Sequence, residues 1–231
     1  MKIIFIPFLL LIGGCASVQR ANAANPFIAC SQDKIRLAAS SEELQNLVNA
    51  DQEDRKGPFD SINWTVVLPR DEVRRKRVGE VFGEGCFSTS ADYAAAALVY
   101  QHGNVPDHFF QTFLWAKKAV ELGDPRQVKE MQELKKLMAE GLDRYLMNSN
   151  HKQLFGTQAS RPSMNPKDCW CLEEIEPSFP DKKRAEYLNR DIKEIMNWLN
   201  TMNSQNPKCK AKPYCEKGFK PSPVGTIPGF W

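Results

Sequence analysis

Asp51 and Arg55 stand four residues apart, the spacing at which a carboxylate and a guanidinium meet on one helix face. Gln52 sits between them, Gln101-His102 follows fifty residues on, and Asp143-Arg144 comes later still. Soon after comes "HKQLFGTQ" at 151–158, which holds Gln153, Thr157 and Gln158 around a Phe and a Gly. An arginine presents a fork suited to carboxylate or phosphate. A histidine moves protons near neutral pH. Two readings of these residues stay open. They satisfy one another as a buried polar network, or they line a cleft as ligand-binding residues. For catalysis the candidates are His102 as acid or base, with Asp51 or Asp143. No G-x-S-x-G, H-E-x-x-H or phosphate-binding loop is present. With three His in the chain, a multi-His metal site is not expected, nor is a cofactor.

These residues need helices to hold them. Ser40 and Glu43 have the spacing of a capping box. The helix they open carries Leu44, Leu47 and Val48 on one stripe, which continues to Asp51 and then Arg55, so charges fall on the inward face. "INWTVVLP" reads as extended, and 71–82 as a second helix. Within it, Arg74-Arg75-Lys76-Arg77 reads as a solvated face, because no aromatic residue is interleaved. Ser90 caps a small-residue helix ending at Gln101-His102. Pro106 starts another with Phe109, Phe113 and Val120 on one side. A longer helix runs from 126 to 147 on Met131, Leu134, Met138, Leu142 and Tyr145. The stretch 180–202 reads as the last helix, and the tail has no periodicity. The expected fold is all-α: a compact multi-helix domain over 33–202, with a disulfide-stapled irregular C-terminal tail over 203–231.

The first residues serve a different purpose. Lys2 precedes the twelve-residue apolar run "IIFIPFLLLIGG", too short to span a bilayer as a helix and typical of a secretory signal. "LIGGC" resembles a bacterial lipoprotein box with Cys15 as the lipidated residue, and "ANA" at 21–23 fits ordinary signal cleavage. The first is favoured, because Cys15 abuts the apolar run. Residues 1–23 are thus leader and linker, and the expected location is the bacterial cell envelope, lipid-anchored on the periplasmic side. Either cleavage leaves six of the seven Cys: Cys30, Cys86, Cys169, Cys171, Cys209 and Cys215. An even count in an exported chain reads as disulfides. Cys169 and Cys171 are too close to pair with each other without strain. Cys209 and Cys215 are their simplest partners, which leaves Cys30 for Cys86. Zinc held by the last four is the competing reading, though their spacing is not that of a zinc knuckle and no His lies near. A net charge of +3 is too small to argue for nucleic acid as a partner.

"ADQEDR" at 50–55, "AALVYQH" at 96–102, "LDRYLM" at 142–147, "KQLFGTQ" at 152–158 and "PDKKRAEYLN" at 180–189 resemble a bacterial family known only as a domain of unknown function. Its pattern is D-Q-x-x-R, Q-H, D-R, Q-x-Y-G-T-Q and a late Arg-Arg-Ala. The resemblance covers about 45–190. Phe155 stands where the family has Tyr, and Lys183-Arg184 where it has two Arg. The resemblance implies a helical fold and the same choice of polar residues, and no reaction. A single stretch, "ALVYQHGNVPDHFFQTFLWAKKAVELGDP", also resembles one Sel1/tetratricopeptide unit, where a solenoid needs about three. The expected function is therefore a membrane-tethered binding or interaction module for a small ligand or a protein. The alternatives are a hydrolase-like enzyme built on His102 and a Sel1-like protein-interaction domain.

Overall fold

Small residues set the helix spacing at the centre of the molecule. The computed structural model describes residues 29–161, 168–204, 206, 209 and 214–231. Helix α3 (Ser90–Gln101) buries Ala95, Ala96 and Ala97. It lies between α1 (Lys34–Glu53) and α4 (Pro106–Leu122). Helix α5 (Val128–Asn148) packs along α4. They approach closely at Gly141, where a Cβ would stand 2.8 Å from the Thr112 methyl and 3.0 Å from the Phe113 amide nitrogen. Only glycine admits that approach, so the α4–α5 distance is written at this residue. The expected stripes face inward: Phe109 and Phe113 from α4, and Leu134, Met138 and Leu142 from α5 are buried.

Several boundaries differ from the sequence reading. Helix α1 starts earlier, because Asp33 caps it by accepting from the Ile35 and Arg36 amides. Ser40 is then a buried mid-helix residue. "WTVVLP" is helical and not extended, since α2 runs from Trp64 to Gly83 with Pro69 inside. Proline removes one hydrogen bond there, and packing of Val67, Val78 and Val81 outweighs both that loss and the β-branched run. Thr89, not Ser90, caps α3 in a reciprocal box with Asp92. The last helix is two: α6 (Asp181–Leu188) and α7 (Ile192–Asn203). Asn189 takes a left-handed φ of 53°, and Asp191 with Glu194 forms a new capping box.

The fold is mostly helical, with one addition: a two-stranded antiparallel ribbon pairs β1 (Ala159–Ser160) with β2 (Cys171–Leu172). Cysteine pairing is Cys30–Cys86, Cys169–Cys209 and Cys171–Cys215. Those bonds join the last four sulfurs two by two, in place of the zinc alternative. The tail is fixed by more than disulfides. Ile227 is buried in the main core, the Phe230 ring packs 5.4 Å from Phe113, and the Trp231 indole donates to the Ser222 carbonyl at 2.7 Å. Composition underestimated it, because a few aromatic residues at its end dock into a core the helices build. Cys15 and the leader lie outside the described residues. Among the described residues, no helix is long and apolar enough to cross a membrane.

Candidate functional site

The α1 stripe that ends in charge meets a second charged stripe on α2. Asp51 is fully buried and Asp71 nearly so. Arg55 links them, with Nη1 2.9 Å from Asp51 Oδ1 and Nη2 2.5 Å from Asp71 Oδ2. Arg74 donates to Asp71 Oδ1 at 2.9 Å and also pairs with Asp54, which takes a further bond from Arg70. The Arg74 bond holds the Asp54 carboxyl below its usual range. Here the reading of Arg74–Arg77 is corrected: Arg74 and Arg75 are buried, and Arg77 is half-buried against Glu43. Asp71, Arg74, Arg75, Val78 and Val81 recur at helical spacing, so they form the inward stripe of α2. The four-residue basic run hid that period. Asp71, Arg74 and Arg75 were missed for this reason.

His102 lies above this layer at the end of α3. Its Nδ1 is 2.9 Å from Asp51 Oδ2, and Gln52 Nε2 donates to the same oxygen at 2.8 Å. The terminal carbonyls of α3 are held by guanidinium groups. Arg75 donates to the His102 carbonyl at 2.7 Å, and Arg144 donates to the Gln101 carbonyl at 2.8 Å. Cations suit a helix C-terminus, where unpaired carbonyls carry partial negative charge. Arg144 is otherwise unusual. It stacks 5.8 Å over the Phe109 ring, and no carboxylate among the described residues lies within ion-pair distance of it. Burial pulls its guanidinium below the usual arginine range, and Glu140 one turn earlier pulls it back up. Its Nε and the buried Gln101 Oε1 have no hydrogen-bond partner.

The stretch 151–158 is held by Asp143 from beneath. One carboxylate oxygen accepts from the Leu154 and Phe155 amides at 2.8 and 3.0 Å. The other accepts from the Thr157 amide at 2.9 Å and its hydroxyl at 2.8 Å. Gln153 braces the same loop internally, donating to the Gln158 and Glu173 carbonyls and accepting from the Gln158 amide. Gly156 turns the chain at φ 85°, against Ile175 and Ile195. Arg184 donates to the Leu154 carbonyl at 2.9 Å, so the late arginine of the resemblance also serves this loop. Phe155 packs at 4.9 Å on Phe179, and its ring alone fills the position. The polar residues of "HKQLFGTQ" are therefore selected mainly to fix the loop as a rigid wall.

That wall faces a cleft of about 370 Å³ lined by Gln52, Gln101, His102, Arg144, Thr157 and Gln158, together with Glu140, Trp170 and Trp198. Six of the residues singled out by sequence thus share one cleft, drawn from α1, the end of α3, α5 and the loop. Arg55 joins His102 and Arg144 in a neighbouring pocket of about 490 Å³. Asp51 lies directly beneath His102. Asp143 and Gln153 are fully buried and are not among the residues lining these pockets, so they shape the wall rather than face a ligand. Glu140, Trp170 and Trp198 were missed. Glu140 stands one turn before Arg144 on the same face, which its i−4 spacing signals; the tryptophans arrive through tertiary folding. Burial raises the Glu140 carboxyl above its usual range, opposed by Lys136 and Arg144. Among the described residues no group of three or more His, Cys, Asp or Glu is arranged to hold a metal ion. Comparison with family models, with curated proteins and with solved structures returns no match to this chain.

Proposed function

We propose that this is an exported, lipid-anchored envelope protein whose cleft binds a small polar ligand through an anionic group, a carboxylate or a phosphate. The observation that carries the reading is Arg144. A buried guanidinium is costly unless its charge and donors are answered. In the cleft wall its Nη1 is bonded to the Gln101 carbonyl, and no carboxylate among the described residues lies within ion-pair distance to answer its charge. A ligand with an anionic oxygen in the cleft answers it. The test is Arg144→Met, which keeps the packing on Phe109 and removes the charge. The full chain is titrated with inorganic phosphate, glutarate and galacturonate, and thermal melts are followed. At least one of these should raise the wild-type melting temperature. Its affinity should fall about tenfold or more in the variant, as for loss of a charge-assisted contact. Without ligand the variant should lose about 1–3 kcal/mol of stability with the hydrogen bond from the guanidinium to the Gln101 carbonyl. A wild-type melting temperature that no probe shifts overturns the reading.

The anchor rests on "LIGGC" and is tested separately. Cys15→Ser should release the protein from the membrane fraction or stop its processing; normal processing and membrane fractionation of the variant would refute it.

A second reading is favoured by one arrangement, the Asp51–His102 pair. A buried carboxylate on Nδ1 fixes the ring and its tautomer, as a general base requires. The hydrolase-like alternative would use this pair, with Glu140 across the cleft as proton donor. Recovery of a chemically altered probe from the titrations would select it over simple binding.

A further inference from the structure

The cleft does not stand alone. His102 and Arg144 are walls of both it and the 490 Å³ pocket on the α1–α2 side. At its other end Glu140, Thr157 and Trp198 are also walls of a third pocket, of about 530 Å³, which extends past Gln132 to Asn189 and Arg190. The three pockets therefore adjoin one another through shared walls, from α2 to the α6–α7 junction. Each holds a tryptophan: Trp64 in the first, Trp170 and Trp198 in the central cleft, and Trp198 again in the third. The Trp170 ring is held by the Arg161 guanidinium, 5.0 Å from its centroid.

We infer that these pockets work as one groove for an extended acidic oligosaccharide, with Arg144 reading a carboxylate at the centre. This rests on the anion-binding reading above and goes beyond it in naming the ligand class and its length. A pyranose ring offers an apolar C–H face to stack on an aromatic ring, and hydroxyls that both donate and accept at its rim. The groove supplies the complement. Its walls carry both tryptophans and side-chain amides. Gln52 Nε2 is bonded to Asp51 and Gln132 Nε2 to the Tyr187 carbonyl, so these amides are held in place at the walls. Pocket linings with a few fixed polar groups among aromatic surfaces are the usual way to orient a small-molecule unit, and three adjoining pockets suit a chain of units. A peptide docking by strand addition is less well matched, because the ribbon here is two residues long on each strand.

The test compares ligand lengths. Full-length protein is titrated with galacturonate as monomer, trimer and hexamer, with neutral cellohexaose and with oligo-glutamate. Tryptophan fluorescence and calorimetry are the readouts. Affinity should rise about tenfold or more from monomer to hexamer, and the hexamer should bind about tenfold or more tighter than either control. Arg190 is exposed and lines the third pocket, which Arg144 does not. Arg190→Ala should therefore weaken the hexamer severalfold and leave the monomer unchanged, while Trp198→Ala should weaken the trimer and the hexamer. Both variants are checked by circular dichroism melts. Monomer and hexamer binding equally, through Arg144 alone, overturns the groove and keeps the anion site. Tighter binding of oligo-glutamate or cellohexaose overturns the acidic-glycan assignment. No binding of any anion overturns this inference together with the reading it rests on.

Discussion

Arg55→Ala is expected to destabilise the protein by about 3–5 kcal/mol, the cost of breaking a buried ion pair by removing one partner. Its side chain is 13% exposed and stands between Asp51 and Asp71, which are 0% and 1% exposed. Truncation leaves two carboxylates without the guanidinium that joins them. Asp71 retains Arg74, and Asp51 retains His102 and Gln52, so the loss falls short of two uncompensated charges. Urea melts compared with Lys56→Ala, whose pair with Glu53 is exposed, measure the difference. The control should change by no more than about 1 kcal/mol. Equal effects of the two substitutions would mean that the Asp51–Arg55–Asp71 layer carries no special weight.

Asp143→Asn tests the wall of the cleft in the same way. The substitution is isosteric, yet only one of its two terminal atoms can accept. The NH₂ end would face two of the four donors that now converge on the carboxylate. A buried donor left without an acceptor costs about 1–3 kcal/mol, and two are affected, so a loss of about 3–5 kcal/mol is expected. Hydrogen exchange should locate the damage: amides of Leu154, Phe155 and Thr157 should lose protection well before those of α4. Unchanged exchange in 151–158 would show that Gln153 and Arg184 hold the loop without Asp143. Because Thr157 and Gln158 line the cleft, the variant should also lose whatever ligand Arg144 binds.

The sequence revealed polar chemistry better than it revealed boundaries. The α1 stripe runs Leu44, Val48, Asp51 at helical spacing, and a charge on an apolar stripe must be answered by other buried groups. That logic brought Asp51, Arg55 and His102 together before any coordinates. It also applied to α2, where Asp71, Arg74 and Val78 keep the same period, but a run of four basic residues looks solvated when read in order and not by angle. Local propensity misled at 64–69, where β-branched residues and a proline argue for an extended chain and core packing decides otherwise. The break between α6 and α7 was legible in Asn189 and in the Asp191–Glu194 box. Trp170 and Trp198 carried no signal, since they reach the cleft through the ribbon and the docking of α7, contacts made across long separations in sequence.

The two C-terminal disulfides interleave: Cys169 and Cys171 precede both of their partners, and the bond from each crosses the loop closed by the other. For a chain entering an oxidising compartment from its N-terminus, this order matters. Cys30 and Cys86 emerge as neighbours in the series of thiols and join correctly as they arrive. Cys169 and Cys171 then emerge next to each other, tens of residues before Cys209. An oxidase that joins thiols in order of appearance would force them into a strained bond with each other or leave them joined to a glutathione-like thiol. The native pair of bonds is reached only when a thiolate attacks that premature bond and exchanges it. For the exported protein proposed above, the expected result is that maturation needs disulfide isomerisation as well as oxidation: in cells lacking an envelope isomerase it should accumulate with the tail misjoined.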